Sequence, residues 1–191
     1  MIRTGIFGGS FNPIHNGHLQ LAEAFLAAAK LDEVWLLVSP QNPLKPQSQL
    51  LLYEKRLELA HLALQNKPQL IASDYENKLP KPSFTSETLR SLQKDYPQRE
   101  FCLLIGGDSL KNIHLWKNWQ FIVDNFQIYV YPRNNYPSFN QQLPTNIHTI
   151  NAPQLPISST IIRQLIANKC SVSQYLPSQS IGLTEEYYSK I

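Results

Sequence analysis

GGSFNPIHNGHL, Gly8 to Leu19, follows the β-rich run Arg3–Phe7 and leads into a stretch where Leu19, Leu21, Ala22, Phe25, Leu26 and Ala29 recur at helical spacing. A strand, a tight turn and a helix in that order make the first part of a βαβ unit. Gly8 and Gly9 strip side chains from the turn and Pro13 stiffens it. A helix beginning near Gly17–His18 then supplies unpaired N–H groups where a phosphate can sit. His15 and His18, three residues apart across that helix start, can point the same way and donate N–H bonds to phosphate oxygens as charge shifts in a reaction. Two other readings of the pair stay open here. Histidines can bind zinc, though no Cys, Asp or Glu lies beside these at metal-ligand spacing, or they can be a plain turn residue and a helix cap.

Working outward, Glu33–Val38, Gln69–Ser73, Glu100–Ile105, Gln127–Tyr131 and Ile147–Ile150 read as further strands. Leu52, Leu57, Ala60 and Leu64 mark a second helix, Ser86–Lys94 and Trp116–Asn125 shorter ones. Ser158 or Ser159 caps a last helix carrying Ile161, Ile162, Leu165 and Ile166. Strands alternating with helices predict an α/β fold: a Rossmann-like, doubly wound parallel sheet with helices on both faces and a small helical C-terminal part. The expected organisation is one domain over residues 1–191, with a core over 1–156 and a helical subdomain over 157–191. Residues 132–156, rich in proline, read as mostly loop around one strand. Ligands of such sheets bind outside the carboxyl ends of the strands, where strand order reverses.

A chain of 191 residues, 42% hydrophobic and 16% charged, suits one sizeable core. Its net charge of +3 comes from 17 basic and 14 acidic side chains with no run of like charge, which fits a small anionic substrate better than nucleic acid. Cys102 and Cys170 stand far apart and outside any CxxC pattern, so reduced thiols in a cytoplasmic protein are expected. Gly, Asn, Pro and His interrupt the N-terminal apolar run, and stretches such as VWLLV are too short to span a bilayer; neither secretion nor membrane insertion is expected. Of seven glycines, Gly5, Gly8, Gly9, Gly106 and Gly107 lie within or just after two predicted strands. They suggest two places where backbone approaches a ligand closely, unless each only makes an ordinary tight turn. ISSTIIR, Ile157 to Arg163, sets Ser158, Ser159 and Thr160 at a helix start with Arg163 one turn on, a receptor for a terminal phosphate or else a plain N-cap followed by a surface arginine.

These motifs together resemble the nucleotidylyltransferase superfamily, whose signature is a histidine pair, HxGH, after the first strand; it is carried here as His15-Asn16-Gly17-His18. The resemblance implies that His15 and His18 contact the phosphates of a nucleoside triphosphate and stabilise the transition state, with no covalent nucleophile. It assigns ATP binding to Gly8, Gly9, Ser10, Phe11, His15, His18, Gly106 and Asp108, and to Ser158, Ser159, Thr160 and Arg163, because SSTIIR matches the SSTxIR segment of the family's adenylyltransferases. NPLK (Asn42–Lys45) is similar to the segment whose lysine reaches phosphate, which would make Lys45 catalytic beside His15, His18 and Arg163.

With NPLK, two further segments narrow the resemblance to the nicotinate mononucleotide adenylyltransferases. PSFTSETL (Pro82–Leu89) resembles their SYTxxTL, so Ser83, Phe84 and Thr85 would receive the pyridine substituent, with Phe84 replacing the commoner tyrosine. IGGDSLKNIHLWKNW (Ile105–Trp119) resembles GxDS…W, which puts Asp108 near a ribose and Trp116 on the pyridine ring, while Trp119 fits the core. Arg133 matches an arginine after the fifth strand, although Asn134-Asn135 replaces the usual Pro-Gly. Lys45, Asp108 and Arg133 would join the mononucleotide site. His61 and His148 are assigned to structure, and His114 matches no motif.

What the resemblance implies is adenylyl transfer from ATP to nicotinate mononucleotide in NAD synthesis, with Mg²⁺ carried by the ATP and no metal site on the protein. The nicotinamide mononucleotide is an alternative acceptor. A phosphopantetheine adenylyltransferase shares the histidine motif but not SFTSETL or the GGDS…W segment, and a non-catalytic nucleotide-binding module would not need His15, His18, Lys45 and Arg163 together. The sequence leaves a homo-oligomer open.

Overall fold

Strands buried on both faces carry apolar residues at successive positions, and in this chain those residues divide alternately between two cores. In the computed structural model, residues 1–40, 50–131, 144–152 and 156–190 are described. Six strands, β1 (Ile2–Gly9), β2 (Glu33–Val38), β3 (Leu70–Ser73), β4 (Arg99–Gly106), β5 (Gln127–Tyr131) and β6 (Ile147–Thr149), form one sheet in the order β3-β2-β1-β4-β5-β6. Every pairing is parallel. The order turns back between β1 and β4, so the expected crevice lies at the ends of those two strands. This is the Rossmann-like sheet that the sequence pattern predicts.

Along β2, Val34, Leu36 and Val38 enter one buried cluster and Trp35 and Leu37 the other. The first cluster packs α1 (Asn16–Ala28), α2 (Tyr53–Leu64), α6 (Ser159–Ala167) and α7 (Ile181–Tyr188) on one face, through Leu19, Ala22 and Phe25, Leu59 and Ala63, Ile162 and Ile166, and Tyr188. The second packs α3 (Thr85–Asp95), α4 (Gly107–Lys111) and α5 (Trp119–Asn125) on the other, through Leu89 and Leu92, Leu110, and Ile122. Each of these side chains is at most about a tenth exposed, and burying one contributes roughly 1.5–3 kcal/mol. α6 and α7 thus share a core with α1 and α2. Among the described residues no helix is long and apolar enough to cross a membrane.

Two helical expectations shift. The helix expected over Trp116–Asn125 begins only at Trp119, because Asn118 adopts the left-handed conformation (φ 52°) and Ile113–Leu115 form a separate 3₁₀ turn. On α2 the buried face is Arg56, Leu59, Ala60, Ala63 and Leu64, while Leu52 precedes the helix and is exposed. An arginine occupies the place that hydrophobic periodicity gives to a leucine.

Candidate active site

The turn after β1 is shaped by aromatic packing. Phe11 takes a left-handed backbone (φ 44°) and buries its ring edge-on to Phe7 and His18, with centroids 5.6 and 5.0 Å apart. Gly9 makes room for that ring, since a Cβ there would stand 2.9 Å from it, whereas a Cβ on Gly8 would meet nothing within 4 Å. His15 precedes α1 in extended conformation, and its backbone N–H donates to Nδ1 of His18 at 3.2 Å. That bond makes Nδ1 an acceptor, so a neutral His18 carries its proton on Nε2. The two imidazoles lie with centroids 3.7 Å apart and planes 30° from parallel. A side chain at Gly17 would come within 3.1 Å of the His15 ring, which accounts for the glycine between the histidines.

The helix start offers fewer free donors than its sequence suggests. The Asn16 N–H donates to the Tyr175 carbonyl at 2.8 Å, and those of His18 and Leu19 to the His15 carbonyl.

α6 is fastened to this turn across the length of the chain. Ser158 caps it, its Oγ accepting from the Ile161 N–H at 3.3 Å. Ser159 Oγ donates to the Pro13 carbonyl at 2.9 Å, and Arg163 Nη1 to the Asn12 carbonyl at 2.7 Å, with Nη2 3.4 Å from Thr160 Oγ1. The two segments singled out in the sequence thus meet at the exit of β1.

Other residues that the sequence did not mark complete the turn. Asn12 Oδ1 accepts from the Leu51 N–H at 3.1 Å and from the Tyr188 hydroxyl at 2.6 Å. Burial pushes that hydroxyl well above its ordinary titration range. Arg56, 1% exposed, donates Nη1 to the carbonyls of Ser10 (2.6 Å) and Ser39 (2.9 Å), Nε to Leu51 (2.9 Å) and Nη2 to Pro40 (3.3 Å). Desolvation lowers its pKa. Its position on a helix face, four before Ala60, was the one available signal.

Across the β1–β4 crevice, Asp108 is exposed in the first turn of α4, and Gly106 ends β4 against the Tyr131 ring. Phe84 immediately precedes α3 and Thr85 begins it. Ser83 does not face outward: it is buried, and its hydroxyl, with that of Thr88, donates to Glu76 at 3.3 Å. Burial raises the Glu76 pKa, opposed by hydrogen bonds from Ser39, Ser83 and Thr88. Trp116 is half-buried against the second core. Its neighbour Lys117 sets Nζ 4.6 Å from the Phe84 ring centroid and 2.5 Å from Glu87, which draws the Trp116 turn to the start of α3. A cleft of about 480 Å³ opens beside them, lined by Pro82, Ser83, Phe84, Glu87 and Lys117 but by neither Thr85 nor Trp116. His61 and His114 are exposed, and His148 Nε2 sits 2.6 Å from Gln127 Oε1. Lys45 and Arg133 lie outside the described residues.

Residues 6–165 match the family described as cytidylyltransferase-like. The chain is 45% identical over 178 residues to a protein of Flavobacterium psychrophilum named "Probable nicotinate-nucleotide adenylyltransferase", covering 92% of each chain. A protein of the same name from Bacteroides fragilis is 44% identical over 174 residues, 91% of this chain and 87% of that one. The fold also resembles that of the Plasmodium falciparum nicotinic acid mononucleotide adenylyltransferase solved with NaAD, at a TM-score of 0.79 and 18% identity over 99% of this chain and 98% of that one.

Proposed function

The chain belongs to the cytidylyltransferase-like family, and from that premise we propose that it is a nicotinate-nucleotide adenylyltransferase of NAD biosynthesis. It transfers the adenylyl group of ATP to nicotinate mononucleotide, giving nicotinate adenine dinucleotide and pyrophosphate. The reaction class rests on one observation above all: Ser159 and Arg163 are bonded to the carbonyls of Pro13 and Asn12, so the ISSTIIR helix start and the histidine turn form one site. The acceptor is supported by the names of the relatives at 45% and 44% identity.

In this reading the triphosphate lies between the histidine turn and the start of α6, and the mononucleotide phosphate attacks the α-phosphorus in line as pyrophosphate leaves. A phosphate monoester is largely ionised near neutrality, so no protein base is needed. The protein contributes positioning and charge stabilisation. His18 donates through Nε2–H, held in that tautomer by the His15 N–H, and His15 stacks beside it. Arg163 spends one N–H on Asn12 and has others for phosphate, since a guanidinium carries five. Ser158 caps α6 and Ser159 bolts it to the turn, while Thr160 faces solvent beside Arg163. Gly8 leaves open space for the nucleotide, Gly106 at the end of β4 and Asp108 at the start of α4 border it, and Lys45 and Arg133 add cations to phosphate. Phe84 and Thr85 with Trp116 receive the pyridine, while Ser83, turned inward onto Glu76, holds their loop.

Transfer from ATP uses a divalent cation. Among the described residues no three His, Cys, Asp or Glu side chains gather as a metal site, and the proposed ion is Mg²⁺ held by the triphosphate, where it neutralises phosphate charge. In this reading the reaction takes place in the cytoplasm. The test is pyrophosphate release from ATP with nicotinate mononucleotide, nicotinamide mononucleotide, phosphopantetheine or no acceptor. Fastest release with the first is expected. Release with phosphopantetheine alone overturns the acceptor, and no release with any overturns the enzyme.

A further inference from the structure

We propose that Arg56 is a positioning residue for ATP: it turns the Ser10 carbonyl inward and so presents the Phe11 N–H to the triphosphate. The proposal rests on the phosphate-site reading above and adds a residue that touches no substrate. All four acceptors of Arg56 are main-chain carbonyls, and among the described residues no carboxylate lies within ion-pair distance of it. A buried arginine is costly unless its donors are satisfied, and an apolar side chain would fill this α2 position more simply. What only a guanidinium does there is span several oxygens at once.

Those oxygens are placed where the chemistry is. Ser10 follows β1, Ser39 and Pro40 follow β2, and Leu51 leads into α2. Arg56 therefore ties the exit of β2 to the exit of β1, which leads into the candidate ATP site. In a planar trans peptide the carbonyl of one residue and the N–H of the next point in opposite directions. With the Ser10 oxygen drawn toward Arg56, the Phe11 N–H of the same peptide is aimed away from Arg56. Phe11 holds a left-handed conformation that a phenylalanine adopts only under constraint. The bond on the preceding peptide, together with the buried ring, supplies that constraint.

Arg56→Lys keeps the charge and the stem but cannot span the same carbonyls. A cooperatively melting Arg56→Lys protein is expected to raise the KM for ATP about tenfold, as loss of one or more charge-assisted hydrogen bonds would do, and to raise that for nicotinate mononucleotide less. An unchanged KM for ATP overturns the proposal. A second measurement uses the wild-type protein, so it does not depend on the variant folding: backbone amide shifts are followed while inorganic tripolyphosphate is added. The Phe11 amide is expected to shift along with those near His18 and Ser159. Movement of those amides with Phe11 unmoved overturns the role of Arg56 and leaves the phosphate site standing, whereas no movement at any of them overturns both.

Discussion

His18→Ala separates chemistry from folding. The substitution deletes the Nε2–H donor, and one preorganised donor to a developing charge is worth on the order of 10²–10³ in kcat, about 2.7–4 kcal/mol. The cost to the fold is smaller. The ring is only half-buried; its removal takes away the 3.2 Å contact from the His15 N–H, which water can replace, and an edge contact with Phe11. A bond of that kind contributes about 1 kcal/mol or less, which for a chain of this length is roughly 2–4 °C in Tm. Such a change leaves the folded population almost untouched at assay temperature. Turnover is measured as pyrophosphate release with ATP and nicotinate mononucleotide both saturating, and folding by thermal melting followed by circular dichroism. The expected result is a loss of on the order of 10²–10³ in kcat beside a small shift in Tm. Turnover near wild type in a cooperatively folded His18→Ala protein refutes the assignment, and so does a rate loss that merely follows the unfolded fraction.

Trp116→Ala is expected to raise the KM for nicotinate mononucleotide roughly 3–10-fold, the equivalent of about 0.5–1.5 kcal/mol of stacking, with a smaller change for ATP; equal changes would remove Trp116 from the pyridine site. Tyr188→Phe deletes the hydroxyl bound to Asn12 but leaves Asn12 its Leu51 donor, so Tm should fall by roughly 2–4 °C; an unchanged Tm would show that the bond contributes nothing. Glu76 has a raised folded-state pKa from burial, so its contribution to stability is full below the ordinary carboxylate range and declines as pH rises through the folded value. Glu76→Gln lacks that titration, and in melts from roughly pH 4 to pH 8 the variant should gain on wild type as pH rises; a constant difference contradicts the assignment.

The central strands were legible because β1, β2 and β4 are buried along most of their length on both faces, which writes each as a largely apolar run. Glu33–Val38 and Gln127–Tyr131 coincide with their predicted bounds, and β1, β3, β4 and β6 differ by one or two residues at their ends. α2 was read on a face that includes Leu52 because periodicity counts leucines, and the residue that faces the sheet there is Arg56, whose partners are backbone oxygens that leave no mark in a sequence. The same limit hid Asn12 and Tyr188: each is polar and ordinary in its own segment, and only folding joins them across 176 positions. His15, His18 and Ser158–Arg163 were readable because their geometry is local, a turn and a capped helix start. Ser83 was readable as part of a motif but not in its orientation, since Glu76, which turns it inward, lies in a 3₁₀ turn with no pattern of its own.

The hydroxyl of Tyr188 on Asn12 also sets an order of events during synthesis. Ser159, Arg163 and finally Tyr188, which hold the histidine turn, leave the ribosome more than 140 residues after it. A nascent chain can pair β1 with β2 and β4 long before its histidine turn is braced. Chains cut short within α7 would therefore keep the sheet and lack the Tyr188 brace, so that the turn is fully held only once α7 has docked.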